Sequence, residues 1–149
     1  MESLLNSQLQ ILFQLLLAAI LGGLVGLERE SKRKSAGLRT HALVCLGSTL
    51  FVIISSQSFG GLIGTSFDPS RVAAGIVMGV GFLGAGIIMH QNGRVEGLTT
   101  AAGIWTVAAI GLAIGVKMYF VAVVASVLIL GILILLRLLE EKVFGNKEE

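Results

Sequence analysis

The residues of this chain that could do chemistry are few, and they fall where apolar segments end. One segment closes on Glu28-Arg29-Glu30, and another opens after Gly37-Leu38-Arg39-Thr40-His41. A third ends at His90, and Gln91-Asn92-Gly93-Arg94-Val95-Glu96 then leads into Gly97-Leu98-Thr99-Thr100. Short connections place these ends near one another. Glu28, Arg29, Arg39, Thr40, His41, Asn92, Glu96, Thr99 and Thr100 are therefore expected to form a polar vestibule. The chemistry open to such a set is the handling of a hard cation. Mg²⁺ keeps most of its waters and needs only one or two carboxylates, so Glu28, Glu96 and Asp68 would sit at the mouth, with Thr99 and Thr100 lining a path. Each residue also has a purely structural role available. Glu28 and Arg29 suit headgroup anchoring, Arg39 and His41 suit snorkelling, Asn92-Gly93 suits a turn and Thr99 suits a helix N-cap.

A second local motif is Asp68-Pro69-Ser70-Arg71. Asp68 fits an N-cap and Pro69 the first helical turn, where its missing N–H is harmless. Arg71 could pair with Asp68 or with lipid phosphate. No Ser–His–acid set, zinc-spaced His/Cys cluster or phosphate loop occurs. The Gly79/Gly81/Gly84 spacing copies a dinucleotide motif only in part and lies in an apolar run without the strand that motif requires. An enzyme is not expected, nor a cofactor, and the spacing assigns no metal ligands. The lone Cys45 excludes an intrachain disulfide and reads as a small packing residue.

The elements that hold these residues are membrane helices. Hydrophobic residues make up 54% of the 149 and charged ones 13%, with 20 glycines, about twice the usual share. Five apolar segments are predicted, at about Leu9–Leu27, Thr40–Ser56, Val72–Met89, Thr99–Gly115 and Tyr119–Leu136. The fourth is rich in alanine and threonine and is the weakest on hydropathy, which leaves four spans as the alternative. The third contains Gly75, Gly79, Gly81, Gly84 and Gly86. In a soluble helix each would cost about 1 kcal/mol against alanine; in a bilayer small residues let helices approach closely.

On a helical projection Gly75, Gly79, Phe82 and Gly86 share one face of the third segment, and Ala74, Gly81, Gly84 and Ala85 a second. Ile76, Val80, Leu83 and Ile87 form a bulky stripe. This segment is therefore expected at the centre of the bundle, or as a bundle helix that also touches another subunit. In the first segment Ala18, Gly22 and Gly26 stand four apart, and the row continues back through Gln14, Gln10 and Asn6. It reads as a packing seam with a polar outer end. The Leu/Ile/Val-rich fifth segment reads as peripheral, and Trp105 in the fourth reads as a packing residue.

Nine Lys and Arg residues lie on the side of the first segment's C-terminus (Arg29, Lys32, Arg33, Lys34, Arg39, Arg94, Arg137, Lys142, Lys147), against Arg71 and Lys117 on the other. The positive-inside rule then gives an N-out, C-in chain in a bacterial inner membrane. The Lys32-Arg33-Lys34 run suits contact with anionic lipid.

The chain resembles the MgtC/SapB membrane proteins. The likeness rests on LGGLVGLERE, AGLRTHALVCLG, DPSRVAAGIVMGVGFLGAGII and VEGLTTAAGIWTVAAIG, in this order. It implies an inner-membrane protein of about five spans connected with magnesium homeostasis and stress survival; some members are linked to virulence and to inhibition of the F-type ATP synthase. The family's polar motifs map onto Glu28, Arg29, Gly37, Arg39, Thr40, Asp68, Pro69, Arg71, Glu96, Thr99, Thr100 and Trp105, with Asn92 in a loop thought to matter for function. MgtC-like members carry a further soluble C-terminal domain, so this chain resembles the shorter, SapB-like form.

The expectation is thus a single all-α integral membrane domain over residues 1–149. It would act without catalysis through helix–helix contacts with itself, as a homodimer, or with another integral membrane protein. Gly22, Gly26, Gly75, Gly79 and Gly86 would serve those contacts, lipid is the surrounding partner, and nucleic acid is not one. The alternative is a transporter or channel for Mg²⁺ or another small solute.

Overall fold

The computed structural model describes residues 2–58, 68–91 and 94–145. It contains α1 (Glu2–Ser31), α2 (Leu38–Ser58), α3 (Pro69–Ile87), α4 (Leu98–Gly115) and α5 (Tyr119–Gly131). A π-helical stretch, Ile132–Leu136, carries α5 into α6 (Arg137–Phe144). Five stretches are long and apolar enough to cross a membrane, the last being Tyr119–Val143. Among the described residues, the one addition to an all-helical reading is a small antiparallel ribbon between α3 and α4. Its strands β1 (Met89–Gln91) and β2 (Arg94–Glu96) pair His90 with Val95.

Close packing begins on α1, whose seam behaves as its spacing predicts. A Cβ at Gly22 would stand 2.6 Å from Cys45 Cβ and 2.8 Å from the His41 carbonyl, and one at Gly26 would stand 2.7 Å from the Gly37 carbonyl. Only glycine lets α1 and α2 come this near. From the other side, a Cβ at Gly111 of α4 would overlap the Cys45 carbonyl oxygen, and one at Gly115 would stand 2.6 Å from Val52 Cβ. The α2 backbone is thus held between two glycine faces. His41 lies by Gly103 and Val52 by Gly115, so α2 and α4 run parallel, and α1 runs antiparallel to both.

The polar end of the α1 seam is also in place. Gln14 is buried, and its amide donates to the carbonyls of Ile114 (2.7 Å) and Gly115 (3.1 Å). These belong to the last turn of α4, where carbonyls lack helical partners. Gln10 reaches the Tyr119 hydroxyl (3.4 Å) and accepts from Lys117 (3.2 Å). Midway along α2, the Thr49 hydroxyl is shared between the carbonyls of Cys45 (3.0 Å) and Gly111 (2.8 Å).

The placement of α3 overturns one expectation. Half of the α4 span is buried, but only 17% of α3 and 11% of α5. The centre of the bundle is α4, because its alanines and glycines are what allow it between α1 and α2; expected to be the weakest segment on hydropathy, it is no less apolar than α2 or α3. The edge helix α3 packs with its bulky stripe: Ile76 and Val80 are buried together with Ile104 and Ala108 of α4, and Ile87 packs against the same cluster. One of its five glycines, Gly84, meets Ala101. Among the described residues, a Cβ at Gly75, Gly79, Gly81 or Gly86 would meet nothing within 4 Å, so these glycines pack against none of the described helices. Leu83, expected in the stripe, is half exposed, as is Trp105 on the outer side of α4. The lipid-facing reading of α5 agrees with its few buried residues: Ala122, Ser126 and, in the π stretch, Leu133.

Candidate functional site

The end of α1 and the start of α2 form a locked corner. The chain leaves α1 through Arg33 at φ 51, while the Arg29 carbonyl accepts from the amides of Lys32 and Lys34. Glu30 then reaches across the loop and accepts the Leu38 amide at 2.7 Å, capping α2. Gly37 sits so close to that carboxylate that a Cβ would stand 2.6 Å from Glu30 Oε2.

Inside this corner lie two ionisable residues of α1 and one of α2. Arg29 is 3% exposed and donates through Nε to Glu28 Oε2; the Glu28 side chain is 8% exposed. His41 is fully buried, and its Nδ1 lies 2.9 Å from the Gly37 carbonyl. A carbonyl oxygen only accepts, so Nδ1 carries the hydrogen and neutral His41 keeps a bare lone pair on Nε2. That nitrogen faces α4 at Gly103, where a Cβ would stand 3.3 Å from it. Both charges of the Glu28–Arg29 pair act on the His41 ring. Among the described residues, Glu28 Oε1 and His41 Nε2 are buried with no hydrogen-bond partner.

The expected vestibule therefore divides. Glu28, Arg29 and His41 come together, and Thr100 is buried in the first turn of α4. Arg39, Glu96 and Thr99 are exposed, and Thr40 is half-buried; Asn92 lies outside the described residues. Thr99 does not cap α4. Gly97 takes that position at φ 86, with Ile87 packed where its Cβ would be. No group of three or more His, Cys, Asp or Glu residues arranged to hold a metal occurs among the described residues. Chemically, the corner offers one carboxylate oxygen and one imidazole nitrogen beside a guanidinium.

At the opposite end of the bundle Asp68 is the N-cap of α3. Its carboxylate accepts from the Ser70 hydroxyl (2.6 Å) and the Ser70 amide (2.9 Å). These bonds, the hydroxyl's first, hold its pKa below the usual carboxylate value. Arg71 is exposed. Sequence reasoning missed Thr49, Gly103, Gly111 and Gly115. The Gly111-x-x-x-Gly115 spacing was the available signal, since paired small residues one turn apart mark close helix contacts.

Comparison with known proteins places this architecture. The sequence profile of the MgtC family matches residues 15–142. The chain belongs to the MgtC family. This MgtC-family chain is 47% identical over 127 residues to "Putative magnesium transporter YhiD" of Escherichia coli (strain K12), covering 83% of this chain and 59% of that protein. It is 47% identical over 120 residues to "Protein MgtC" of Brucella abortus (strain 2308), covering 80% and 48%. To "Protein MgtC" of Salmonella typhimurium it is 45% identical over 127 residues, covering 85% and 52%. The chain thus spans about half the length of the curated relatives it matches. No solved structure matches it.

Proposed function

We propose that this MgtC-family protein serves magnesium homeostasis from the bacterial inner membrane and acts by helix–helix contact rather than by catalysis. The observation that carries the contact is the uncovered face of α3. Among the described residues a Cβ at Gly75, Gly79 or Gly86 would meet nothing within 4 Å, while Phe82, on the same face, is 80% exposed. A small-residue face with one large knob suits a partner helix, and a second copy of the chain is the simplest partner, because two-fold dimers are the commonest closed assembly. The magnesium link is supported by the name of the Escherichia coli relative. The N-out, C-in orientation follows from the basic residues, since α1 ends, α2 begins and α4 begins at the same face as Arg29, Lys32, Arg33, Lys34, Arg39 and Arg94. The polar corner then lies on the cytoplasmic side.

The test is the oligomeric state in mild detergent. Gly79→Leu or Gly86→Leu should shift a dimer to monomer by steric overlap, whereas Leu83→Ala should leave it dimeric. A monomeric wild type would remove the self-association reading. A second reading, transport of Mg²⁺, is favoured by the relative's name and by the free Glu28 Oε1. Purified protein that moves Mg²⁺ into liposomes unaided, with loss in Glu28→Gln and Asp68→Asn, would establish transport and overturn the contact mechanism. Impermeable liposomes would support it.

A further inference from the structure

The Glu28 and His41 atoms that lack partners point to a ligand. A buried polar atom with no hydrogen bond costs about 1–3 kcal/mol, and more when charged, so two in one corner call for a common solution. The chemistry of that solution follows from what each atom can do. Glu28 Oε2 is occupied by Arg29 Nε, which leaves Oε1 as an acceptor. His41 Nδ1 is spent on the Gly37 carbonyl, which leaves Nε2 as an acceptor in the neutral ring. Two acceptors cannot satisfy each other. They need a species that donates twice.

We infer that the corner between α1, α2 and α4 is a buried water site, in which one molecule donates to both Glu28 Oε1 and His41 Nε2. Three features select water over a cation. The Arg29 guanidinium already neutralises Glu28, so a divalent ion would leave a strongly positive, dry site. Among the described residues only two ligating side chains meet there, where Mg²⁺ wants an octahedron of oxygens. Finally, a Cβ at Gly103 would already be tight at 3.3 Å from His41 Nε2, so α4 offers that nitrogen no side-chain donor and little room for an ion with its coordination shell. The site is distinct from the α3 face and does not rest on the proposed function.

X-ray hydroxyl-radical labelling with mass spectrometry on the full-length protein in detergent tests this, since radicals formed from bound water label buried side chains beside it. Cys45, one turn further along α2, fully buried and intrinsically more reactive, is the internal dry control. In wild type, His41 should label faster than Cys45 once each rate is divided by its intrinsic reactivity. Glu28→Gln removes the charged acceptor that holds the water beside His41, so His41 labelling should fall. His41→Phe keeps the ring volume and leaves the Gly37 carbonyl bonded to the residue 41 amide (3.2 Å in wild type); labelling at position 41 should again be lost. A His41 as unreactive as Cys45 in wild type would overturn the proposal, even if neither variant folds. So would protection of His41 by excess Mg²⁺, Mn²⁺ or Zn²⁺, which would make the corner a cation site.

Discussion

Replacing glycines by alanine should separate the load-carrying helix contacts of this protein from the open ones. At Gly22 the new Cβ would stand 2.6 Å from Cys45 Cβ, about 1 Å inside an ordinary carbon–carbon contact. Neither carbon is the far end of a flexible side chain, so α1 and α2 must move apart. Overpacking of this kind costs about 1–3 kcal/mol. Gly111→Ala should reach or pass the upper end, because the overlapping atom is the Cys45 backbone carbonyl, and displacing it also disturbs the Thr49 bond to Gly111 (2.8 Å). Gly81→Ala on α3 meets nothing within 4 Å and should change stability by less than about 1 kcal/mol, in the favourable direction if helix propensity carries over from water. Thermal unfolding in detergent, followed by the size-exclusion peak of the surviving protein, reads all three. The expected order of stability is Gly81→Ala at or above wild type, then Gly22→Ala, then Gly111→Ala. A Gly111→Ala protein as stable as wild type, with Gly81→Ala destabilised, would refute the assignment of α4 as the centre and α3 as the edge.

Gln14→Leu should lower the unfolding midpoint by an amount equivalent to about 1 kcal/mol, because the Gly115 carbonyl loses its side-chain donor (3.1 Å) inside the bundle; the Ile114 carbonyl keeps the Lys117 amide (2.9 Å). The same measurement on Gln10→Leu should show a smaller loss, since Gln10 is only half-buried. Asp68 should titrate below the ordinary carboxylate value because the Ser70 hydroxyl and amide bind its ionised form. Its contribution to the start of α3 is fully present above the unfolded-chain pKa and is lost as pH falls through the lower folded value. NMR titration of the Asp68 carboxyl should therefore move upward in Ser70→Ala, and an unmoved curve would show that the hydroxyl is not the cause.

Much of this arrangement was legible in the residues. The row Gln14, Ala18, Gly22, Gly26 announced a seam, and it is the seam on which α1 meets α2 and α4. Asp68-Pro69 announced a helix start at its exact position. The centre of the bundle was not legible, for a physical reason: glycine density marks where a helix can be approached, and the sequence does not say by what. The approach to α4 comes from its own chain, while a Cβ at most of the α3 glycines would meet none of the other described helices. The fourth segment was underrated: its alanines and threonines drew attention away from the isoleucines, leucines and valine that keep the span no less apolar than α2 or α3. In the polar set, residue type alone could not separate His41, which turns inward onto α4, from Arg39 two positions earlier, which faces out. That choice is made by helix phase relative to α1, fixed by Gly26 and Gly37 rather than by either residue itself.

The parallel pairing of α2 with α4 also sets an order of assembly. The ribosome delivers α1, α2 and α3 before the segment that belongs among them. Until α4 enters the bilayer, the Gln14 amide lacks its Ile114 and Gly115 carbonyls, and the Thr49 hydroxyl has only the Cys45 carbonyl of its own helix. The early hairpin of α1 and α2 must therefore wait, glycine against backbone, with an open polar groove along its side. The small residues of α4 make it a good closing piece, because it enters beside a surface already lined with the groups it will bond.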